Sequence, residues 1–181
     1  FMVDRGRMTA EQKNFVFALV TSSLDYNDVH DCDIVIEAVY ENLDLKTKIF
    51  KSLDEAVKPG AILASNTSGL DIDSIANATR RPELVVGTHF FSPANIMKLL
   101  EVVRGSQTSN ETLATVMSVS KKLKKEAVVS LNAPGFIGNR MLFGYTAQAN
   151  MLLLEGALPH QVDQAMDSFL FPFCPFRMLD L

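Results

Sequence analysis

Two rhythms of apolar residues alternate along the first 131 positions. Short, mainly apolar runs occupy 33–39, 61–65, 84–88, 99–103 and 127–130. Runs of this length, bounded by polar, Gly or Pro residues, read as strands, and the lack of polar alternation suits strands buried on both faces of a parallel sheet. Between them the spacing lengthens to helical. Leu45, Ile49, Leu53 and Val57 recur every four residues until Pro59-Gly60 stops the pattern. A short helix is expected over 70–76 and a longer one over 108–124, opened by a capping-box pair at Thr108 and Glu111. A similar pair, Thr9 and Gln12, opens a helix through about Leu19. Strands alternating with helices imply βαβ units, hence an α/β fold with a doubly wound parallel sheet.

The pattern changes at Asn132-Ala133-Pro134-Gly135. One long apolar helix is expected over 136–155, and a second begins at Pro159, where proline suits a first helical turn, and runs to about Phe169. A domain boundary is therefore placed at 131/132, with a sheet domain over 1–131 and the beginning of a helical domain over 132–181.

Composition adds mainly exclusions. Hydrophobic residues are 48% and charged residues 21% of the 181, the balance of a globular protein. A net charge of -4 argues against nucleic-acid binding, which needs clustered Lys and Arg. Two cysteines, Cys32 and Cys174, and three histidines lack metal-ligand spacing, so no metal site is expected. No apolar run is long enough to span a membrane. The sequence beginning at Phe1 is neither a signal nor a transit peptide, and both ends are expected to be cuts through a longer protein.

Candidate chemistry gathers where strands end, since ligands of open α/β sheets bind beyond the strands' carboxyl ends. His89 follows the 84–88 run among Phe90 and Phe91, which would exclude water. Glu101 interrupts an apolar strand. It is either a strand-edge group facing water or a buried carboxylate that meets an imidazole, fixing its tautomer and making the other ring nitrogen a better base. The polar cluster 65–69, including Ser68, is either a helix-capping turn or a set of ligand contacts. Glu41, Asn42 and Lys46 are either a cap and solvated face or a ligand edge. Asn139, on the apolar helix with Phe136 and Phe143, needs a hydrogen-bond partner if buried.

The run Gly87-Thr88-His89-Phe90-Phe91-Ser92-Pro93-Ala94, followed by Met97-Lys98-Leu99-Leu100-Glu101-Val102-Val103, resembles the active-site signature of the 3-hydroxyacyl-CoA dehydrogenases. The segments 36–42, 64–68 and 133–140 resemble other motifs of that family in the same order. The Phe-Phe-Ser-Pro-Ala wording looks closest to the dehydrogenase part of multifunctional β-oxidation enzymes. The resemblance implies a Rossmann-like sheet lacking its first strands, followed by the start of an all-α domain. It also implies NAD as cofactor, an acyl-CoA substrate and oxidation of 3-hydroxyacyl-CoA to 3-oxoacyl-CoA. By position, His89 would be the general base, Glu101 its orienting partner, and Ser68 and Asn139 hydrogen-bond donors to the reacting oxygen and nearby carbonyl. Glu41, Lys46, Ser68 and Ser92, with Ala38 and Val39, match cofactor-contacting positions. A peroxisomal or mitochondrial location is implied, with the chain forming a dimer or part of a larger multifunctional protein.

Two departures temper these expectations. No Gly-x-Gly-x-x-Gly occurs, and the resemblance places that fingerprint ahead of residue 1, so the 181 residues alone are expected to bind NAD poorly or not at all. The family also usually has glycines where Leu170 and Cys174 stand. A catalytically silent descendant and a dehydrogenase of a smaller hydroxy acid are the alternative readings.

Overall fold

The computed structural model describes residues 3, 6–171 and 173–180. The readings of residues 1, 2, 4, 5, 172 and 181 lie outside them. A five-stranded sheet is built in sequence order, β1 (Ile34–Glu37), β2 (Ile62–Ser65), β3 (Val85–Phe90), β4 (Leu99–Arg104) and β5 (Glu126–Leu131). Helices α1 (Ala10–Ala18), α2 (Leu43–Ala56), α3 (Ile72–Ala76) and α4 (Asn110–Lys122) precede or link the strands, and α5 (Gly138–Leu154) and α6 (Pro159–Ser168) follow. None of the helices among the described residues is long and apolar enough to cross a membrane.

β1, β2 and β3 pair in parallel, as expected from the helices between them, but β3 and β4 are antiparallel. The reason is reach. Only the short segment 91–98 joins them, whereas a parallel return needs a crossover of about a dozen residues or more. β5 pairs parallel to β4 across α4. The sheet is therefore mixed, and the uniform parallel arrangement is corrected at this one junction.

Strand alternation sorts the core into two layers. Val85 and Val103 join Phe50, Leu53, Ile72 and Ile75 beneath α2 and α3. Val86, Leu100 and Val102 join Ile62, Ala64, Leu113 and Val116 beneath α4. Among the described residues β1 is an edge of the sheet, and Ile36 on it is 45% exposed. Leu53 and Val57 of the four-residue series are buried and Ile49 packs against the same core, and the inward face of α2 adds Lys46, Phe50 and Asp54.

Helix starts divide the capping expectations. Thr9 and Gln12 form their reciprocal pair, the Gln12 amide donating to Thr9 Oγ1 at 3.1 Å and the Thr9 amide to Gln12 Oε1 at 2.9 Å. At α4 the cap is Ser109, which accepts from the Thr112 amide at 3.0 Å. Thr108 instead donates to the Val85 carbonyl at 2.7 Å and accepts from the Gly105 amide at 2.9 Å, tying the loop to β3.

Three helices end alike. After α4, α5 and α6 the chain turns through a left-handed residue whose amide and successor's amide satisfy the last free carbonyls. Gly156 (φ 105°) takes this place after α5, but Lys124 (φ 57°) and Leu170 (φ 57°) take it after α4 and α6. A glycine at position 170 would adopt this left-handed backbone without strain. Cys174 is buried, with its thiol 3.0 Å from Asp167 Oδ1; it and the exposed Cys32 are both free.

Candidate active site

His89 belongs to β3 itself rather than to the loop beyond it. Being two residues past Gly87, it faces the α2–α3 layer. Glu101, two residues before Val103, faces the same way from β4. The antiparallel register sets the two directly opposite each other, where side chains on one face lie closest. His89 Nδ1 is 2.7 Å from Glu101 Oε2, and the residues are 7% and 1% exposed. The buried-partner reading of Glu101 therefore holds, and its water-facing alternative does not.

The other carboxylate oxygen is also used. Glu101 Oε1 accepts from the amides of Ile137 at 3.0 Å and Gly138 at 2.8 Å, at the start of α5. The first amides of a helix lack partners within it, and two of them are here taken up by this one carboxylate oxygen. Gly138 leaves room for the Phe91 ring: a Cβ there would stand 2.9 Å from it and the ring would have to shift. Phe91 in turn lies 4.4 Å from the His89 ring, centroid to centroid, and Phe136 lies 6.0 Å away. These rings enclose one side of the imidazole.

The 65–69 cluster is a cap that is also tied to the end of β3. Thr67 Oγ1 accepts from the Leu70 amide at 2.8 Å, and Asn66 Oδ1 accepts from the Phe90 amide at 2.9 Å, locking the turn beside the end of β3. The Ser68 carbonyl accepts from Asn139 Nδ2 at 3.0 Å, so Asn139 joins this turn to α5. Glu41 Oε1 accepts from Thr67 Oγ1 at 2.5 Å, the Ser68 amide at 2.8 Å and Ser68 Oγ at 3.0 Å. Burial raises the Glu41 carboxyl, but these hydrogen bonds and nearby Lys46 outweigh it and hold it below its ordinary value.

Asn42 is indeed a cap, accepting from the Leu45 amide at 2.9 Å. Lys46 is neither a solvated face nor an outward ligand group. It is fully buried, with Nζ 2.7 Å from Glu37 Oε1, 3.2 Å from the Val39 carbonyl and 3.4 Å from Glu41 Oε2. Glu37 is the residue that sequence reasoning passed over, although a carboxylate inside the apolar 33–39 run was as visible as Glu101.

Ala38, Val39, Glu41, Ser68 and Ser92 are all exposed, at or just past the carboxyl ends of β1, β2 and β3. They bring aliphatic surface and hydroxyl and carboxylate groups to one rim, a donor and acceptor set that fits a nucleotide's ribose and amide groups. A cleft of about 600 Å³ runs beside β1, lined by Leu24, Tyr26, Val35, Ile36, Ala38 and Val39 among others. Among the described residues no group of acidic, His and Cys side chains could hold a metal ion.

Fold and site together define an open α/β domain with a histidine–carboxylate pair at its rim, continued by a helical segment. Residues 2–133 match the family model for the 3-hydroxyacyl-CoA dehydrogenase NAD-binding domain, and residues 135–181 that for the 3-hydroxyacyl-CoA dehydrogenase C-terminal domain. The chain belongs to the 3-hydroxyacyl-CoA dehydrogenase family. It is 52% identical to the peroxisomal bifunctional enzyme of Danio rerio over 90% of this chain and 23% of that protein. It is 46% identical to the peroxisomal fatty acid beta-oxidation multifunctional protein MFP2 of Arabidopsis thaliana over 99% of this chain and 25% of that one. Among solved structures, (S)-3-hydroxybutyryl-CoA dehydrogenase PaaH1 from Ralstonia eutropha superposes with a TM-score of 0.93 at 39% identity, covering 96% of this chain and 62% of the other. The chain thus spans about a quarter of the length of these multifunctional relatives.

Proposed function

We propose that the protein containing this chain is an NAD-dependent L-3-hydroxyacyl-CoA dehydrogenase of fatty-acid β-oxidation, working as part of a larger multifunctional protein in the peroxisome. The observation that carries this reading is the His89–Glu101 pair, with the carboxylate's second oxygen held by the start of α5.

Beside the Glu101 carboxylate, the His89 ring keeps its proton on Nδ1 and leaves Nε2 as the acceptor. Nε2 takes the proton of the substrate's 3-hydroxyl, and Glu101 stabilises the imidazolium that results. When bound, NAD supplies the acceptor for the hydride that leaves C3. Ser68 and Asn139 orient the reacting oxygen and the neighbouring carbonyl. Ala38, Val39, Glu41, Ser68 and Ser92 hold the cofactor, with Lys46 acting from beneath through Glu41. Residues 1–131 carry the cofactor rim and residues 132–181 close over it. Two relatives bearing peroxisomal names support the location.

The test uses the full-length protein with NADH and acetoacetyl-CoA, against free 3-oxo acids. Turnover of the thioester, reduced about 10²–10⁴-fold by His89→Gln, is the expected result. Turnover confined to free acids, or a His89→Gln rate equal to wild type, would overturn the reading.

A further inference from the structure

We propose that Glu37 is a positioning residue of the cofactor rim: it holds the Lys46 ammonium beneath the end of β1, and Lys46 in turn holds Glu41 against the Ser68 turn. This deepens the proposed function and rests on its reading of Glu41 and Ser68 as cofactor contacts.

Glu37 closes β1 and is 4% exposed. Its Oε1 accepts from Lys46 Nζ at 2.7 Å and from the Val39 amide at 2.6 Å, and its Oε2 accepts from Ser65 Oγ at 2.8 Å. One carboxylate therefore binds the end of β1, the end of β2 and the first turns of α2. Lys46 spans from this buried anchor to Glu41, its Nζ 3.4 Å from Glu41 Oε2. Glu41 leaves Oε1 for Thr67 and Ser68. The Ser68 carbonyl then meets Asn139. The series Glu37, Lys46, Glu41, Ser68, Asn139 runs from the sheet interior to the helical segment without a gap.

Fastening α2 to the sheet does not by itself call for charge. A buried ion pair is often no more stabilising than apolar residues of similar volume, while one partner without the other is costly. Glu41 distinguishes the arrangement. The two carboxylates exceed the single ammonium by one charge, and the surplus sits on the partly exposed Glu41, at the rim. An ammonium already fixed by Glu37 and the Val39 carbonyl keeps that carboxylate turned toward Thr67 and Ser68 rather than into water.

The deciding comparison is Glu37→Gln against the double variant Glu37→Gln with Lys46→Met, in the full-length protein. Glutamine can still accept from the Val39 amide and meet Ser65, and methionine fills the volume of the lysine stem. The single variant leaves a buried ammonium short of its main partner and is expected to lose stability. The double variant removes that charge and is expected to recover most of the melting temperature. Positioning is read separately, by hydrogen exchange at the Ser68 amide. In the double variant that amide is expected to exchange at least about tenfold faster, the size of one charge-assisted hydrogen bond, while the β2 amides of 62–65 keep their protection. The KM for NAD is expected to rise by about the same factor, with a smaller change in kcat. A stable double variant whose Ser68 exchange and KM for NAD both match wild type would overturn the proposal and reduce the pair to a fastener. Should the wild-type protein show no NAD-linked turnover at all, the proposed function fails, while the exchange comparison still decides the role of Glu37.

Discussion

Replacing Glu101 by glutamine separates its two tasks. Oε1 accepts two backbone amides, Ile137 at 3.0 Å and Gly138 at 2.8 Å. An amide nitrogen turned toward those donors would leave them unpaired, so the glutamine carbonyl must take that side. Its NH₂ group then faces His89 Nδ1, which must become an acceptor, and the ring proton moves to Nε2. The proposed base is lost through its tautomer, with hardly an atom displaced. An asparagine in place of the triad aspartate of serine proteases lowers kcat about 10⁴-fold for the same reason. Loss of about 10³–10⁴ in kcat is therefore expected here, worth roughly 4–5.5 kcal/mol of barrier. Folding should suffer far less, since both amide bonds survive. About 1–2 kcal/mol for the lost charge corresponds to a few degrees of melting temperature at this size. The assay is steady-state reduction of acetoacetyl-CoA by the full-length protein, with thermal unfolding alongside. His89→Gln combined with Glu101→Gln should be hardly slower than His89→Gln alone, because the two act as a unit. A Glu101→Gln rate within tenfold of wild type, or full additivity in the double variant, would refute the tautomer argument.

Further outcomes concern stability. Leu170 holds a left-handed backbone while 89% exposed, so Leu170→Gly removes strain at little cost in packing and should stabilise the fold by about 0.5–1 kcal/mol in denaturant titration. Gly156→Ala, at φ 105°, should destabilise by about 1 kcal/mol or more in the same assay. Thr88 is 3% exposed and its Oγ1 has no hydrogen-bond partner among the described residues. Thr88→Val should therefore raise stability by about 1 kcal/mol, and a drop would refute the orphaned hydroxyl. Glu41 is held below the ordinary 4.5, so its contribution is present above that pH and fades as acid carries the solution through the lower folded-state value. Glu41→Gln should lower the melting temperature in the neutral region and leave the acid end nearly unchanged, so that the acid limb flattens, and an unaltered acid limb would contradict this.

Much of the molecule was legible because local patterns and tertiary structure agree. The five strands, α2 and the two late helices lie close to where apolar spacing placed them. The Glu101 environment was legible as a choice between two readings, since a carboxylate in an apolar strand demands a partner or water. The antiparallel turn between β3 and β4 was signalled only by a connection too short for a crossover, and Val–Leu-rich strands conceal their direction. The burial of Lys46 was hidden for another reason. Lysine on an α2 position looks solvated unless its distance from Glu37, nine residues earlier, is known to close in space. Thr108 misled because two hydroxyl residues adjoin, and only Ser109 has its backbone placed to cap.

The attachment of Glu101 to the start of α5 ties chemical competence to assembly. Were residues 136–154 to swing off the sheet, the carboxylate would shed two donors, Asn139 would leave the Ser68 turn, and Phe136 would abandon the imidazole, all in one movement. An ajar molecule would thus be a mute one, and the proposed proton transfer would need the helical half seated.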